Sequence, residues 1–162
     1  MTTPSMKYKL PVSTLVVIYT TNLDVLLLER ADYPGYWQSV TGSQDEGESL
    51  AATAMREVWE ETGLDARCYR LMNWQVQNTY EIYAKWQHRY APGTHYNTEH
   101  VFGLELPCIL PVQLSPREHI NFAWLPWQEA AAQVFSPSNR EAILQLPEKN
   151  FPENELYTAR KN

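Results

Sequence analysis

Residues 42–64, GSQDEGESLAATAMREVWEETGL, constrain this chain more than any other segment. They read as a glycine, five residues, a glutamate, seven residues, Arg-Glu, an aliphatic, one residue, Glu-Glu, one residue, a glycine and an aliphatic. Gly42, Glu48, Arg56, Glu57, Val58, Glu60, Glu61, Gly63 and Leu64 fill those positions. Good helix formers run from Glu48 or Ser49, where a helix can start, to Gly63, where one can stop. At about 100° per residue, Ala51, Met55, Val58 and Thr62 share one stripe, with Trp59 at its border. Glu57, Glu60 and Glu61 then fall roughly opposite, at the i, i+3 and i+4 spacings that make side chains neighbours. Carboxylates this close repel unless something neutralises them. A hard divalent cation does so, and Mg²⁺ or Mn²⁺ suits carboxylates combined with substrate phosphates. Arg56 is expected to point away from this cluster and to orient it through an ion pair. Gly42, at the end of the strand-like WQSVTG, lets the backbone pass close to the helix and to phosphates.

Composition narrows the partners. A net charge of −6 argues against a broad electrostatic footprint for nucleic-acid polymers. It leaves room for a small phosphorylated substrate, because a bound cation inverts the local charge. No apolar run reaches the roughly 18 residues that a membrane span needs. The opening MTTPSMKYKLP has no apolar signal core, so a cytoplasmic location is expected. Cys68 and Cys108 lack metal spacing and read as buried free thiols. His88, His95, His100 and His119 lack ligand spacing too and read as structural or exposed, with His119 placed to steer Glu118.

The chain reads as one α/β domain over residues 1–146, with a polar tail at 147–162. Residues 12–19 form a buried strand and 25–29 its hairpin partner. A third strand spans 36–41 and leads into the helix. Residues 66–86 are strand-like and broken near Asn78, 91–93 turn, and 99–106 and 122–125 are further strands. A short helix covers 127–134. Ser136 and Pro137 open another that runs to 146, as N-cap and first helical residue.

The pattern of residues 42–64 resembles the Nudix box, and no specified position departs from it. The resemblance implies a Nudix-type α/β/α sandwich with a central mixed sheet, the box forming a loop-helix-loop catalytic motif. It also implies metal-dependent hydrolysis of a nucleoside-diphosphate-like substrate. Further segments extend it: KYKLPVS at 7–13, YWQSVTGS at 36–43, HRYAPG at 88–93, NTEH at 97–100, REHINFAWL at 117–125 and SPSNREAI at 136–143. Together they are similar to a Nudix subgroup, the bacterial dihydroneopterin triphosphate diphosphatases of folate synthesis, also described as dATP pyrophosphohydrolases.

Carried across by position, the resemblance implies Glu57, Glu60, Glu61 and Glu118 as metal ligands. Glu60, Glu61, Glu118 and Arg56 would serve catalysis, with the base left open within the Glu60/Glu118 neighbourhood. Lys9, Arg30, Thr41, Gly42, the segment Tyr80, Glu81, Ile82 and Tyr83, and Ser136 would contact substrate. Lys9 and Arg30 are suited to phosphate because both supply charged donors, although Glu29 sets an acid beside Arg30. Trp37, Trp74, Tyr80, Tyr83 and Trp86 are candidates to stack on a flat bicyclic ring. The expected reaction is in-line attack of an activated water on phosphorus, releasing pyrophosphate, by a monomer acting on a small triphosphate. A hydrolase that sanitises dNTPs or oxidised nucleotides, or an inactive binding module on the same fold, are the alternatives.

Overall fold

Strand β1 (Val12–Thr20) is buried on both faces, as its β-branched run VSTLVVIYT demands, and the sheet grows outward from it. In the computed structural model, which describes residues 7–149, β1 pairs in parallel with β6 (Tyr96–Leu106). On its other side it pairs antiparallel with two strands in succession. Its first half meets β4 (Val40–Ser43), and Tyr19 meets Val25 of β2 (Asp24–Arg30). β2 pairs in turn with β3 (Trp37–Gln38) and with β7 (His119–Pro126), while β5 (Arg70–Glu81) closes the far edge against β6.

Alternation along β1 sends Leu15, Val17 and Tyr19 to one face and Val16 and Ile18 to the other. The first face packs on Ala130, Ala131 and Val134 in and just after α2 (Trp127–Gln133), and on Ala142 and Ile143 of α3 (Pro137–Leu144). The second face packs on Ala54 and Val58 of α1 (Leu50–Thr62). The result is the expected α/β/α sandwich around a mixed sheet. Ser49 caps α1 by accepting from the Ala52 amide at 3.1 Å, and Gly63 ends it at φ 73°, a conformation that favours glycine. Ser136 and Pro137 open α3 as expected.

Several expectations need correction. The stretch 36–41 is not one strand. Its backbone crosses from β2 to β1, so β3 and β4 serve different neighbours. The stretch 66–86 breaks elsewhere. A 3₁₀ turn at Ala66–Cys68 precedes β5 and another at Ala84–Arg89 follows it. Asn78 sits in regular register with Glu99, whereas the irregularity lies between Asn73 and Val76, around Gln75 at φ 59°. Strands β6 and β7 start earlier than the apolar pattern indicates, at Tyr96 and His119, and of their added residues Asn97 and His119 line a cavity. The apolar stripe on α1 is also shifted. Ala51 is exposed and Trp59 is 60% exposed, while Glu57 and Glu61 stand on the buried side with Ala54 and Val58. Carboxylates occupy places where a periodicity argument looks for apolar residues. Cys68 and Cys108 are exposed, not buried. Residues 146–149 are helical, and the remainder of the expected tail lies outside the described residues. No helix among the described residues is long and apolar enough to cross a membrane.

Candidate active site

Helix α1 lies so close to β4 that a Cβ on Gly42 would overlap the Glu57 carboxyl. One turn further, Glu61 is 1% exposed and its Oε2 is buried without a hydrogen-bond partner. Glu57 and Glu61 stand one turn apart on the buried side of α1. Burial pushes both above the usual carboxylate range, Glu61 the further, with the charge of Glu57 adding to the effect. The Ala31 amide donates to the Glu118 carbonyl at 2.9 Å and fixes the turn that enters β7. That turn brings Glu118 and His119 to Glu61, with one potential ligand atom from each lying within 4.8 Å of the others.

Arg56 points into the carboxylates rather than away from them. Its guanidinium donates to Glu48 at 2.8 and 3.0 Å, to Glu57 at 2.7 Å and to the Ser43 carbonyl at 3.0 Å. These bonds hold the Glu48 carboxyl down at about 2. Arg56 therefore ties the loop before α1 to the buried Glu57, as only a planar five-donor group can. Glu60 is exposed, 3.4 Å from Arg56, and stands outside the Glu61–Glu118–His119 group. It borders a small recess that it shares with Glu118.

Beside the carboxylates opens a cavity of about 760 Å³. Lys9, Arg30, Thr41, Gly42, Tyr80, Glu81, Ile82, Tyr83 and Ser136 all line it, as does Glu61 at one end. Asp32, not Glu29, engages Arg30, through a two-bond fork at 2.8 Å each, and holds its own carboxyl far below the usual range in doing so. The guanidinium carbon lies 4.4 Å from the centre of the Trp86 ring. Glu29 accepts instead from the Gly35 amide at 2.8 Å. Lys9 keeps access to solvent, but partial dehydration at the crowded mouth, with Arg89 nearby, lowers its pKa. Of the stacking candidates, Tyr80, Tyr83 and Trp86 face the cavity, and Phe135 joins Trp86 at 6.0 Å between ring centres. Trp74 is buried in the core and Trp37 packs against it.

Sequence reasoning missed Gln38, Asp32, Glu99, Phe135 and the part played by His119. His119 is 3% exposed, and burial drives its imidazole down to about 4. Its Nε2 lies 3.2 Å from Gln38 Nε2, while Gln38 Oε1 accepts from Arg30 at 3.0 Å. An amide nitrogen only donates, so His119 Nε2 accepts and its proton sits on Nδ1. His119 is thus a neutral buttress that connects Arg30, through Gln38, to the 3.6 Å contact with Glu61. Adjacency to Glu118 was the only signal the sequence offered for it.

The family model of the NUDIX domain matches residues 9–146. The chain belongs to the Nudix family. The dihydroneopterin triphosphate diphosphatase of Escherichia coli K12 is 47% identical over 142 residues, covering 86% of this chain and 93% of that one. The protein of the same name from Haemophilus influenzae is 38% identical over 141 residues, covering 85% and 88%. The solved structure of the E. coli dihydroneopterin triphosphate pyrophosphohydrolase superposes with a TM-score of 0.81, covering 85% of this chain and 95% of that one. Nudix hydrolases use a divalent metal, and the residues here fit one. The unpartnered buried Glu61 Oε2 and the crowded Glu57 and Glu118 carboxyls form a set of hard oxygen donors whose mutual repulsion such an ion would relieve.

Proposed function

We propose that this protein is a Mg²⁺-dependent pyrophosphohydrolase that converts dihydroneopterin triphosphate to dihydroneopterin monophosphate and pyrophosphate. Mn²⁺ would be a substitute and dATP a secondary substrate. One observation carries the reading: a confined carboxylate group ends a cavity whose other walls supply cations and aromatic faces. The 47% identity to a diphosphatase of that name, spread across the whole domain, supports the substrate.

Glu57, Glu61 and Glu118 would hold the ion, with Glu60 as a further ligand or the water-activating group. When bound, the ion polarises a phosphoryl oxygen and acidifies water. Arg30, locked by Asp32 and Gln38, presents a preset guanidinium to the phosphates, so little ordering is left for the moment of binding. Lys9 adds a second cation to the cavity lining. Thr41 is fixed by its hydroxyl bond to the Thr14 carbonyl at 3.0 Å, and Ser136 also lines the cavity. The base comes from Glu60 or Glu118, the exposed carboxylates that share the recess, since Glu57 and Glu61 are buried. Arg56 holds Glu57 in place. The same reading makes residues 1–146 one catalytic domain and 147–162 a tail. It takes the protein as a cytoplasmic monomer of folate synthesis that acts on a small triphosphate and not on a nucleic-acid polymer.

A Mg²⁺-dependent hydrolysis panel tests this, with dihydroneopterin triphosphate, the four dNTPs, the four NTPs and oxidised dGTP as substrates. The expected result is a kcat/KM for the pterin above that for every nucleotide, with pyrophosphate released. Preference for a nucleotide would discard the substrate while keeping the chemistry. No metal-dependent turnover on any substrate would make the chain a binding module.

A further inference from the structure

One carboxyl in the cavity lining, that of Asp32, gathers donors from two distant segments. Its Oδ1 accepts from Arg30 Nε at 2.8 Å. Its Oδ2 accepts from Arg30 Nη2 at 2.8 Å, from Trp86 Nε1 at 3.2 Å and from Arg89 Nη2 at 3.1 Å. Arg30 ends β2, whereas Trp86 and Arg89 belong to the 3₁₀ turn at Ala84–Arg89, between β5 and β6. Arg89 contributes its backbone as well, since its carbonyl accepts from the Lys9 amide at 2.9 Å. One carboxylate thus sets two guanidiniums, and the residue that bears the second also anchors the backbone of Lys9. All four residues line the cavity.

Charge makes this arrangement informative. Arg89 and Arg30 both act to lower the Lys9 pKa, so the three cations stand within Coulombic reach of one another. A clip between two segments needs one cation on Asp32. Here two converge on it, and Lys9 adds a third that has no ion pair among the described residues. Arg30 spends donors on both Asp32 and Gln38. Arg89 spends one of its five N–H donors on Asp32 and leaves the rest for a ligand. Guanidinium forks match phosphate oxygens in geometry, and such bonds are charge-assisted. A chain of phosphates would relieve the repulsion among the three cations and use the spare donors.

We propose that Arg89 is a phosphate-binding residue, and that Asp32 is the positioning residue that sets it beside Arg30 to form one clamp on the phosphate chain. This rests on the reading of the site as a pyrophosphohydrolase. It does not depend on the organic group, so the clamp holds pteridine and purine triphosphates alike.

Calorimetry with inorganic pyrophosphate and Mg²⁺ tests this on the wild type, Asp32→Asn and Arg89→Gln, beside kcat and KM for dihydroneopterin triphosphate and dATP. Asp32→Asn keeps the shape and removes a negative charge from among the cations. If charge alone mattered, it would bind pyrophosphate more tightly than the wild type does. Positioning predicts the opposite sign, a Kd about 10-fold higher, as when a hydrogen bond to a charged group is lost. Arg89→Gln should raise Kd by about the same factor. Each variant should lose kcat/KM equally on the two triphosphates, mainly through KM. Tighter or unchanged binding in Asp32→Asn, unchanged binding in Arg89→Gln, or a wild type that binds no pyrophosphate would overturn the proposal. A wild type that prefers a nucleotide to the pterin would end the substrate reading and leave the clamp to be decided by the Kd values. Should Asp32→Asn fail to fold, Arg89→Gln decides the phosphate contact alone.

Discussion

Two opposed demands meet at Glu61. Burial to 1% exposure and the neighbouring Glu57 both disfavour its charge, yet holding a cation requires that charge. Replacing it with an uncharged isostere separates the two. Glu61→Gln should lose at least about 100-fold in kcat/KM at saturating Mg²⁺, since changes even in the groups around metal ligands cost 10–100-fold. Its Tm without metal should be no lower than that of the wild type, because the repulsion is gone. Its Tm should also lose the rise that Mg²⁺ gives the wild type by binding the folded state. Wild-type turnover at saturating Mg²⁺ would remove Glu61 from the ligand set. At this scale the sequence disclosed residues whose spacing along one helix is itself the signal, namely Arg56, Glu57, Glu60 and Glu61. It hid those that three-dimensional folding assembles. Gln38 and His119 are 81 residues apart and meet only because β3 and β7 flank β2. It also misdirected Arg56, since a helical wheel has no place for the preceding loop, where Glu48 and the Ser43 carbonyl capture the guanidinium.

The loop-helix-loop motif works as one element, and its two glycines do different jobs. Gly63 ends α1 at φ 73°, with Gln113 Cβ 3.2 Å from where a Cβ would sit. Gly42 is required by its neighbour instead, since a side chain there collides with Glu57. The two alanine variants should therefore separate. Gly63→Ala is expected to lower stability by roughly 1–2 kcal/mol, the cost of a left-handed conformation for an L-residue, and to leave much of the activity. Gly42→Ala should remove most activity by displacing Glu57, at any stability. Urea unfolding beside kcat/KM distinguishes them, and equal activity losses would mean that Gly42 has no special relation to Glu57. Elements bounded by local chemistry, such as the Ser49 and Gly63 caps of α1, were legible in advance. Elements bounded by partner choice were not. WQSV contains nothing that tells a reader the chain changes strand partners between Gln38 and Val40.

Across the whole molecule the sheet supports two requirements at once: a dry core on both faces and buried polar side chains, Glu99 among them, that line the cavity. The two conflict wherever a carboxylate is buried for the sake of a ligand, and pH reveals the conflict. Glu99 has a folded pKa above its ordinary value of 4.5, chiefly through burial. Below the ordinary value both folded and unfolded chains hold the proton, and the full contribution to stability is present. As pH rises, the unfolded chain releases its proton first. Stability is lost through the window between the ordinary and the folded pKa, and the loss is complete above it. Glu99→Gln stays neutral throughout, so its Tm should exceed that of the wild type by a margin that grows from pH 4.5 upward and then levels off. Thermal unfolding of both proteins from pH 4.5 to 8.5, without metal, reads the margin directly, because groups other than Glu99 contribute alike to each. A constant margin would mean that the folded carboxyl titrates like a free one, and that β6 places no buried charge in the cavity wall. A growing margin would show a fold kept less stable than it could be by one buried carboxylate.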